Sequence, residues 1–139
     1  MSKENVDLVR SIYATRERGE LLDWWAHPEI EVVSADGPQP STWRGLDGLA
    51  EALRTWRDAW EDFRAEPEEF RALSDGRVLV LIRRSGRGRA SGMELRELRT
   101  NGAAVFHVSD GKVTRVVNYF DRDRALADLG IAPEAAPPD

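Results

Sequence analysis

The sequence predicts an α+β fold, in which helices come first along the chain and a run of antiparallel strands follows. Amphipathic helical segments dominate the chain up to Trp60, and short β-branched runs follow them. Val78–Ile82 is the most strand-like of these runs. Asp110-Gly111 stands between two further runs and is a strong hairpin signal. Helices and strands that are segregated in this way indicate an α+β fold rather than a doubly wound one.

The helical half is predicted from capping residues and apolar spacing. Apolar residues at three- and four-residue steps predict a first helix over about Lys3–Arg18. A short second helix, Leu21–Ala26, comes before a strand that alternates through Ile30–Ser34. The third helix covers about Leu46–Trp60 and has one apolar face. These helices are the available cover for one face of the sheet.

The second half of the chain is predicted to be mostly strand. Strand-like segments separated by turns are 63–73, 78–82, 93–100, 105–108 and 113–117. Of these, 93–100 is ambiguous, because its two leucines also suit a helix. A short last helix over about Arg122–Leu129 ends at Gly130. The chain is therefore expected to be one domain, residues 1–131, followed by a flexible tail, residues 132–139.

Composition excludes several classes of function. The 139 residues carry 20 basic and 25 acidic side chains, and a net charge of −5 is the wrong sign for a nucleic-acid-binding domain. No apolar run is long enough to span a membrane, so we expect a cytoplasmic protein without a membrane partner. There are no cysteines and two histidines, so we expect no metal site and no cofactor.

Five local sequence phrases stand in a characteristic order along the chain. They are 5–13 with Arg18-Gly19-Glu20-Leu21, then 43–49, 75–80, 110–113, and Tyr119-Phe120-Asp121 leading into Ala125-Leu126. Taken together, these phrases resemble the SnoaL-like branch of the nuclear transport factor 2-like superfamily, and the resemblance covers the chain from about Glu4 to Ile131.

The resemblance implies a cone-shaped α+β barrel, with a strongly curved antiparallel or mixed sheet wrapped around the N-terminal helices. It also implies an apolar pocket between the sheet and those helices, and a homodimer that pairs through the outer sheet face. The fold hosts many activities. We therefore expect a small-molecule-binding protein of one of two kinds. One is a polyketide cyclase-like cyclase, isomerase or lyase that acts on a small apolar carbonyl compound by general acid/base catalysis; the other is a non-catalytic ligand-binding or dimerisation module.

Asp121 is the first catalytic candidate. It follows a predicted strand, and SnoaL-like cyclases use an aspartate on the sheet as a general acid or base. The same residue directly precedes the last predicted helix, where aspartate is a favoured N-cap. Both interpretations are open, and the cap is the commoner role for aspartate at such a position.

Asn118 and Tyr119 point to opposite faces of their predicted strand, so only one of them can reach the pocket. If Phe120 and Val116 line the pocket, Asn118 does too and can hydrogen-bond a ligand carbonyl. In the other register, Tyr119 supplies the polar group. We favour Asn118, with a catalytic role beside Asp121.

Aromatic side chains are the predicted walls of the pocket. Five tryptophans in a chain of this length are unusual, and all of them fall in or beside the helical half. They fill the core, line the pocket, or do both. The predicted substrate-binding residues are Tyr13, Trp24, Trp43, Trp56, Trp60, Phe106 and Tyr119.

Two further groups complete the candidates. The arginine- and glycine-rich stretch 83–92 is interpreted as a solvated strand end or hairpin, from which Arg83 or Arg87 can present a guanidinium at the pocket mouth. His27 is expected in an exposed turn. His107 is expected on the outer sheet face, in a dimer contact or in solvent.

The chain departs from the ketosteroid isomerases that share the resembling fold. By approximate alignment, Ser34 stands at their carboxylate base and Ala104 at their protonated acid. Because that chemistry needs both groups, steroid isomerisation by the same machinery is not expected.

Overall fold

A computed structural model describes residues 2–16, 25–35, 41–73, 76–88 and 97–130. Within these ranges the chain forms three helices and six strands, which confirms the α+β class. The helices are α1 (Ser2–Arg16), α2 (Gly45–Ala59) and α3 (Arg122–Leu129). The strands are β1 (Ala26–Ser34), β2 (Ser41–Arg44), β3 (Trp60–Ala72), β4 (Arg77–Gly88), β5 (Glu97–Ser109) and β6 (Lys112–Tyr119).

The six strands form one mixed sheet with the order β2-β1-β6-β5-β4-β3, and this sheet is not closed. All neighbouring strands are antiparallel except β1 and β6, which run parallel. The register shifts within β3, and also along the β1–β6 and β5–β6 pairs. Irregularities of this kind bend and twist a strand, which curves the sheet around the helices on one face.

The inner face of the sheet packs on α1 and α2. Val9 and Ile12 of α1 and Leu49 and Ala52 of α2 are at most 4% exposed. They join one apolar cluster with inward-facing strand residues, which are Ile30, Val32, Val78, Val80, Ile82, Ala104, Phe106, Val113 and Val116. Helix α1 presents residues at three-residue spacing here, as the sequence pattern predicts.

The outer face of the sheet packs on α3. Ala125 and Leu126 of that helix join a second buried cluster with alternate residues of the central strands, namely Leu79, Leu81, Ala103, Val105, Val117 and Tyr119. All six of these strand residues are under 10% exposed in a single chain. Helix α3 thus packs on the apolar centre of the face through which the homodimer is expected to pair.

The predicted hairpin between β5 and β6 is confirmed. Asp110 has φ 52° and Gly111 has φ 76°, and both signs are positive, as a type I′ turn requires. Gly111 adopts this conformation without strain, and aspartate is one of the few other residues that tolerate it.

Several predicted boundaries differ from the structure. The third predicted helix ends at Ala59, and Trp60 begins β3 instead. Of the predicted short helix, Ala26 is the first residue of β1, and 21–24 lie outside the described residues. The ambiguous segment 93–100 is strand from Glu97 onward, while 93–96 and the predicted tail at 132–139 are also outside the description. Among the described helices, none is long and apolar enough to cross a membrane.

Glu68 on β3 forms ion pairs with Arg83 on β4 and with Arg122 at the start of α3. Its Oε2 accepts a hydrogen bond from Arg83 Nη2, and its Oε1 accepts one from Arg122 Nη2, each at 2.7 Å. The hydrogen bond from Arg122 is the main reason that the pKa of Glu68 lies below its usual value, and Arg83 lowers the pKa further. Partial burial acts in the opposite direction but does not outweigh these two contacts. Arg122 also donates to the main-chain oxygens of Ile82 and Gly102.

Replacing Glu68→Gln should lower the free energy of unfolding at pH 7 by about 0.5–1 kcal/mol, as for other partly exposed ion pairs. A carboxyl whose pKa is depressed by folding stabilises the fold above its unfolded pKa, and this stabilisation is lost as the pH falls through the folded pKa. The difference in the free energy of unfolding between Glu68→Gln and the wild type should therefore become smaller below about pH 4. Urea unfolding measured from pH 2 to pH 7 tests this. Glu66→Gln is the matched control, since Glu66 is exposed on the same strand. If Glu68→Gln and the wild type differ in free energy of unfolding by the same amount at every pH, the ion pairs of Glu68 do not stabilise the fold as assigned.

Candidate functional site

A cavity lies between α1, α2 and the inner face of the sheet. It contains about 640 Å³ of empty space including its open mouth, and about 40 Å³ of this is open to the centre of a water molecule. That is room for a few waters, or for one small ring that displaces them. The described lining is mostly apolar and consists of Ile12, Tyr13, Trp25, Val32, Leu49, Leu53, Ala65, Ile82, Arg84, Phe106, Val116, Asn118 and Phe120.

One wall of the cavity is an aromatic cluster around Tyr13. Its ring meets Phe70 and Phe106 edge to face, with 5.9 Å between centroids and 72° between planes in both pairs. The guanidinium of Arg10 lies 4.7 Å from the centre of the Phe70 ring. Edge-to-face contacts of this kind favour a defined ring orientation, so Phe70 and Phe106 orient the Tyr13 ring in the cavity wall.

The polar end of the cavity is built around Arg84. Inward-facing residues alternate along β4 through Val80 and Ile82, and the next inward position is Arg84, which is 5% exposed. Its Nη1 donates to the main-chain oxygen of Tyr119 at 2.6 Å, and its Nη2 donates to Asn118 Oδ1 at 3.1 Å. Its guanidinium carbon lies 5.1 Å from the centre of the Phe120 ring. Both of these hydrogen-bond acceptors are neutral oxygens.

Gly102 makes the reach of Arg84 possible. Arg84 projects from β4, and its partners lie on β6, so its side chain must pass over the intervening strand β5. A Cβ on Gly102 would overlap Arg84 Nη1 and would come within 2.6 Å of the Tyr119 oxygen. A residue without a side chain is therefore required at this position of β5.

Asn118 faces the cavity, and Tyr119 faces away from it. Asn118 is 9% exposed, and its Oδ1 accepts from Arg84. The orientation of the carboxamide follows from that donor, so Nδ2 points away from the guanidinium. Tyr119 belongs to the outer cluster, where its hydroxyl donates to Asp128 Oδ2 of α3 at 3.0 Å. The prediction of Tyr119 as a pocket residue is wrong, while a catalytic role for Asn118 stays a prediction.

Asp121 caps α3. Its side chain accepts a hydrogen bond from the main-chain nitrogen of Asp123 at 3.0 Å, with Asp121 itself in an extended conformation. The residue is exposed, and it is not part of the cavity lining. The prediction that this carboxylate faces the cavity is wrong, because the free N–H groups of the first helical turn orient it. The alternative interpretation as a cap is the one that the structure shows.

The predicted aromatic residues divide into three groups. Tyr13 and Phe106 line the cavity, while their role in binding a substrate stays a prediction. Trp43 is half-buried on β2 and packs against the inner cluster without joining the described lining. Trp24 lies outside the described residues, as do the side chains of Trp56 and Trp60.

Sequence reasoning missed Arg84, and the predicted substrate-binding residues did not include Trp25 and Phe120, which also line the cavity. Alternation from Val78, Val80 and Ile82 would have placed Arg84 inside, and this signal was available in the sequence. Arg83 was the predicted cationic residue at the mouth; it lies on the other face and pairs with Glu68. The side chain of Arg87, the other predicted cation, is outside the described residues.

Neither histidine belongs to the cavity lining. His27 lies in β1, where its Nδ1 accepts from the Glu29 nitrogen at 2.9 Å. His107 is half-buried on the outer face, and burial lowers its pKa, with further lowering by the charges of Arg115 and Arg77. Among the described residues, no group of three or more histidine, aspartate or glutamate side chains could hold a metal ion.

The described lining can hold a ligand oxygen, but it offers no general base of the predicted kind. It contains no carboxylate and no imidazole, and its titratable side chains are Arg84 and Tyr13. The guanidinium and the Asn118 amide are hydrogen-bond donors, of the type that stabilises negative charge on oxygen.

Gly102→Ala should destabilise the fold by about 1–3 kcal/mol, the usual cost of inserting a group into a packed interior. The new methyl group must displace the Arg84 guanidinium from β6. Chemical unfolding measures the loss of stability. Ala104→Gly, on the same face of the same strand, is the control: it shows whether β5 is sensitive to any substitution or only to the methyl group that crowds Arg84. If Gly102→Ala is as stable as the wild type, the crossing of Arg84 over Gly102 is not required.

Several solved structures are similar in fold to the chain. A nuclear transport factor 2-like protein of Burkholderia xenovorans LB400 is 29% identical over 92% of this chain and 96% of its own, with a TM-score of 0.71. TerC, which was co-crystallised with polyporic acid, is 24% identical over 91% of this chain and 97% of its own, with a TM-score of 0.69. A putative SnoaL-like polyketide cyclase of Jannaschia sp. CCS1 is 16% identical over 99% of this chain and 95% of its own, also with a TM-score of 0.69.

No curated protein is significantly similar to the chain. The sequence model of the SnoaL-like domain family matches residues 8–116. This match runs from α1 into β6 and includes most of the elements that enclose the cavity. The fold expected from the resemblance is present in the structure, and structural neighbours of nuclear transport factor 2-like and SnoaL-like type support it. The chain therefore belongs to the SnoaL-like domain family of the nuclear transport factor 2-like superfamily.

Proposed function

We propose that this protein binds a small, largely apolar molecule in the cavity between α1, α2 and the inner sheet face. The observation that carries this proposal is the composition of the cavity. Apolar and aromatic side chains form its walls, and one polar pair, Arg84 and Asn118, converges at one end. Ligand sites in proteins typically combine an apolar lining with a few placed polar groups.

Two further observations support a ligand rather than an incidental gap in the core. Arginine is rarely buried, and placing Arg84 here costs desolvation free energy that a purely structural cavity does not need to spend. The relative TerC was co-crystallised with an organic acid, polyporic acid, which is consistent with small-molecule binding within this fold.

Binding is favoured over acid–base catalysis. The expected cyclase, isomerase or lyase depended on Asp121 as the proton carrier, and Asp121 caps α3. The described lining provides donors that can polarise a carbonyl, but no carboxylate that can remove a proton. The putative polyketide cyclases among the structural neighbours are too distant to transfer an activity.

The homodimer and the cytoplasmic location remain expectations that stem from the resemblance and from composition. A dimer through the outer sheet face would have to form around α3, since Leu126 and its neighbours occupy the apolar centre of that face. Nuclear transport factor 2-like domains often pair in this way, so light scattering at micromolar concentration is a direct measurement of the assembly.

Filling the cavity should abolish binding. Ala65 lines the cavity on β3, directly opposite Arg84 in the ladder. Ala65→Phe should therefore weaken the binding of cumene, acetophenone or benzoate by at least about tenfold, because a phenyl ring occupies the space that the ligand needs. Calorimetric titration of the full chain with these three probes measures the affinities.

Ala72→Phe is the matched control, because Ala72 is exposed at the far end of the same strand. It should leave all affinities unchanged, and thermal unfolding should show that both variants fold. The proposal fails if the wild type binds none of the three probes saturably, or if Ala65→Phe binds them as well as the wild type does.

A further inference from the structure

We infer that Asn118 is the specificity-determining residue of the cavity, because its side-chain amide is held so that it donates a hydrogen bond to a ligand oxygen. The ligand class that fits is a single-ring compound with an acceptor oxygen at its inner end, such as an aryl ketone. This selection rests on the proposed function, since it concerns what the same cavity takes. It gives Asn118 a role in recognition and none in proton transfer.

Arg84 fixes which end of the Asn118 amide can meet a ligand. Its Nη2 donates to Asn118 Oδ1 at 3.1 Å, and the amide can accept only through its oxygen. Arg84 also donates to the main-chain oxygen of Tyr119 and has a further interaction besides these two, so its position does not depend on Asn118 alone. Turning the amide over would set its NH2 group against the guanidinium. Nδ2 is therefore the end that remains for a ligand.

Nδ2 of Asn118 is a buried donor that the described part of the chain does not satisfy. Asn118 is 9% exposed and lines the cavity, and the hydrogen bond of its side chain is the one that Oδ1 accepts. A buried donor without an acceptor is unfavourable, and water is its ordinary partner in a cavity of this size. A ligand oxygen that displaces such a water keeps the hydrogen bond, whereas an apolar group in the same place loses it.

Short side chains on both neighbouring strands leave room for a ligand to reach this donor. In the sheet, Asn118 is paired with Ser34 on β1 and with Ala104 on β5, and both side chains are buried. The inward positions before and after Asn118, Val116 and Phe120, are walls of the cavity. A ring that packs against these walls can therefore bring an oxygen at its end to Nδ2.

Acetophenone and α-methylstyrene are the probes that isolate this hydrogen bond. Both carry the same phenyl ring and have nearly the same shape, and the carbonyl oxygen of the first is replaced by a methylene group in the second. Because water solvates the ketone better, the wild-type affinities alone do not measure the contact with Asn118. The informative quantity is the ratio of the two affinities, and how a substitution at Asn118 changes it.

Asn118→Asp tests the residue with almost no change of shape. The new carboxylate still accepts from Arg84, but an acceptor oxygen replaces the donor that faces the ligand. The affinity ratio of acetophenone to α-methylstyrene should fall by at least about tenfold, because a hydrogen bond is lost and two acceptors are opposed. The affinity for α-methylstyrene itself should stay within about threefold of the wild-type value. Calorimetric titration of the full chain at pH 7 measures both affinities.

Asn101→Asp is the matched control. Asn101 is exposed on β5, so this substitution adds the same charge away from the cavity. Its affinity ratio should equal that of the wild type. Loss of stability at Asn118 without a change of the ratio would indicate a purely structural residue and would overturn the inference.

The infrared band of the bound ketone is a test that needs no variant. A hydrogen bond weakens the C=O bond, so isotope-labelled acetophenone bound to the wild type should absorb at lower wavenumber than it does in cyclohexane. A band at the cyclohexane position would show a carbonyl without a donor and would overturn the inference, even if no variant at position 118 folds.

Failure of the inference and failure of the proposed function give different results. If the probes bind saturably but the affinity ratio is the same in Asn118→Asp and in the wild type, the role of Asn118 is rejected and the proposed function stands. If the wild type binds none of cumene, acetophenone and benzoate, the proposed function itself is rejected. If thermal unfolding shows that Asn118→Asp does not fold, Asn118→Leu replaces it, and its ratio must fall by at least about threefold for the inference to hold.

Discussion

The two-residue alternation of side chains along β4, β5 and β6 is the constraint on which the rest of the molecule depends. These strands are covered on both faces, by α1 and α2 inside and by α3 outside, so neither face tolerates a slip of register. A shift by one residue would exchange Arg84 with its exposed neighbour and Asn118 with Tyr119. The cavity therefore has a polar end because the hydrophobic pattern of the strands is fixed on both sides at once.

Arg84, Gly102 and Asn118 act as one unit that spans three strands. The guanidinium projects from β4, the glycine of β5 leaves room for it, and the amide and carbonyl of β6 receive it. Burying an arginine is costly unless its donors are satisfied, and this arrangement satisfies donors while it keeps the group at the cavity wall. Substitutions at these positions consequently affect both the stability of the fold and the shape of the polar end of the cavity.

The sequence predicted the fold better than it predicted the site. The helices α1 and α3, the strand core of β4 and the Asp110-Gly111 hairpin follow from local periodicity and turn chemistry, which depend little on distant residues. Alternation along β6 left two registers open, and the structure shows the favoured one, in which Asn118 faces the cavity.

The positions that sequence reasoning got wrong depend on tertiary context. For Asp121, helix capping and a pocket-facing strand end competed, and the local helix N-terminus prevailed. Arg84 was overlooked because a run of arginines usually indicates a solvated surface, and this expectation outweighed the alternation along β4 that places Arg84 inside.

An unclosed sheet leaves a strand at each edge with main-chain groups that another chain could pair with, and β3 is the longer of the two. Pro67 lacks an N–H group to donate, and the register shift beside it interrupts the regular ladder. Exposed Glu66 and Glu68 flank it with negative charge. Proline, irregular register and charge are the features by which natural sheets resist strand-to-strand aggregation. One of the register shifts that bend the sheet thus lies in the same stretch of β3 as the features that protect this edge.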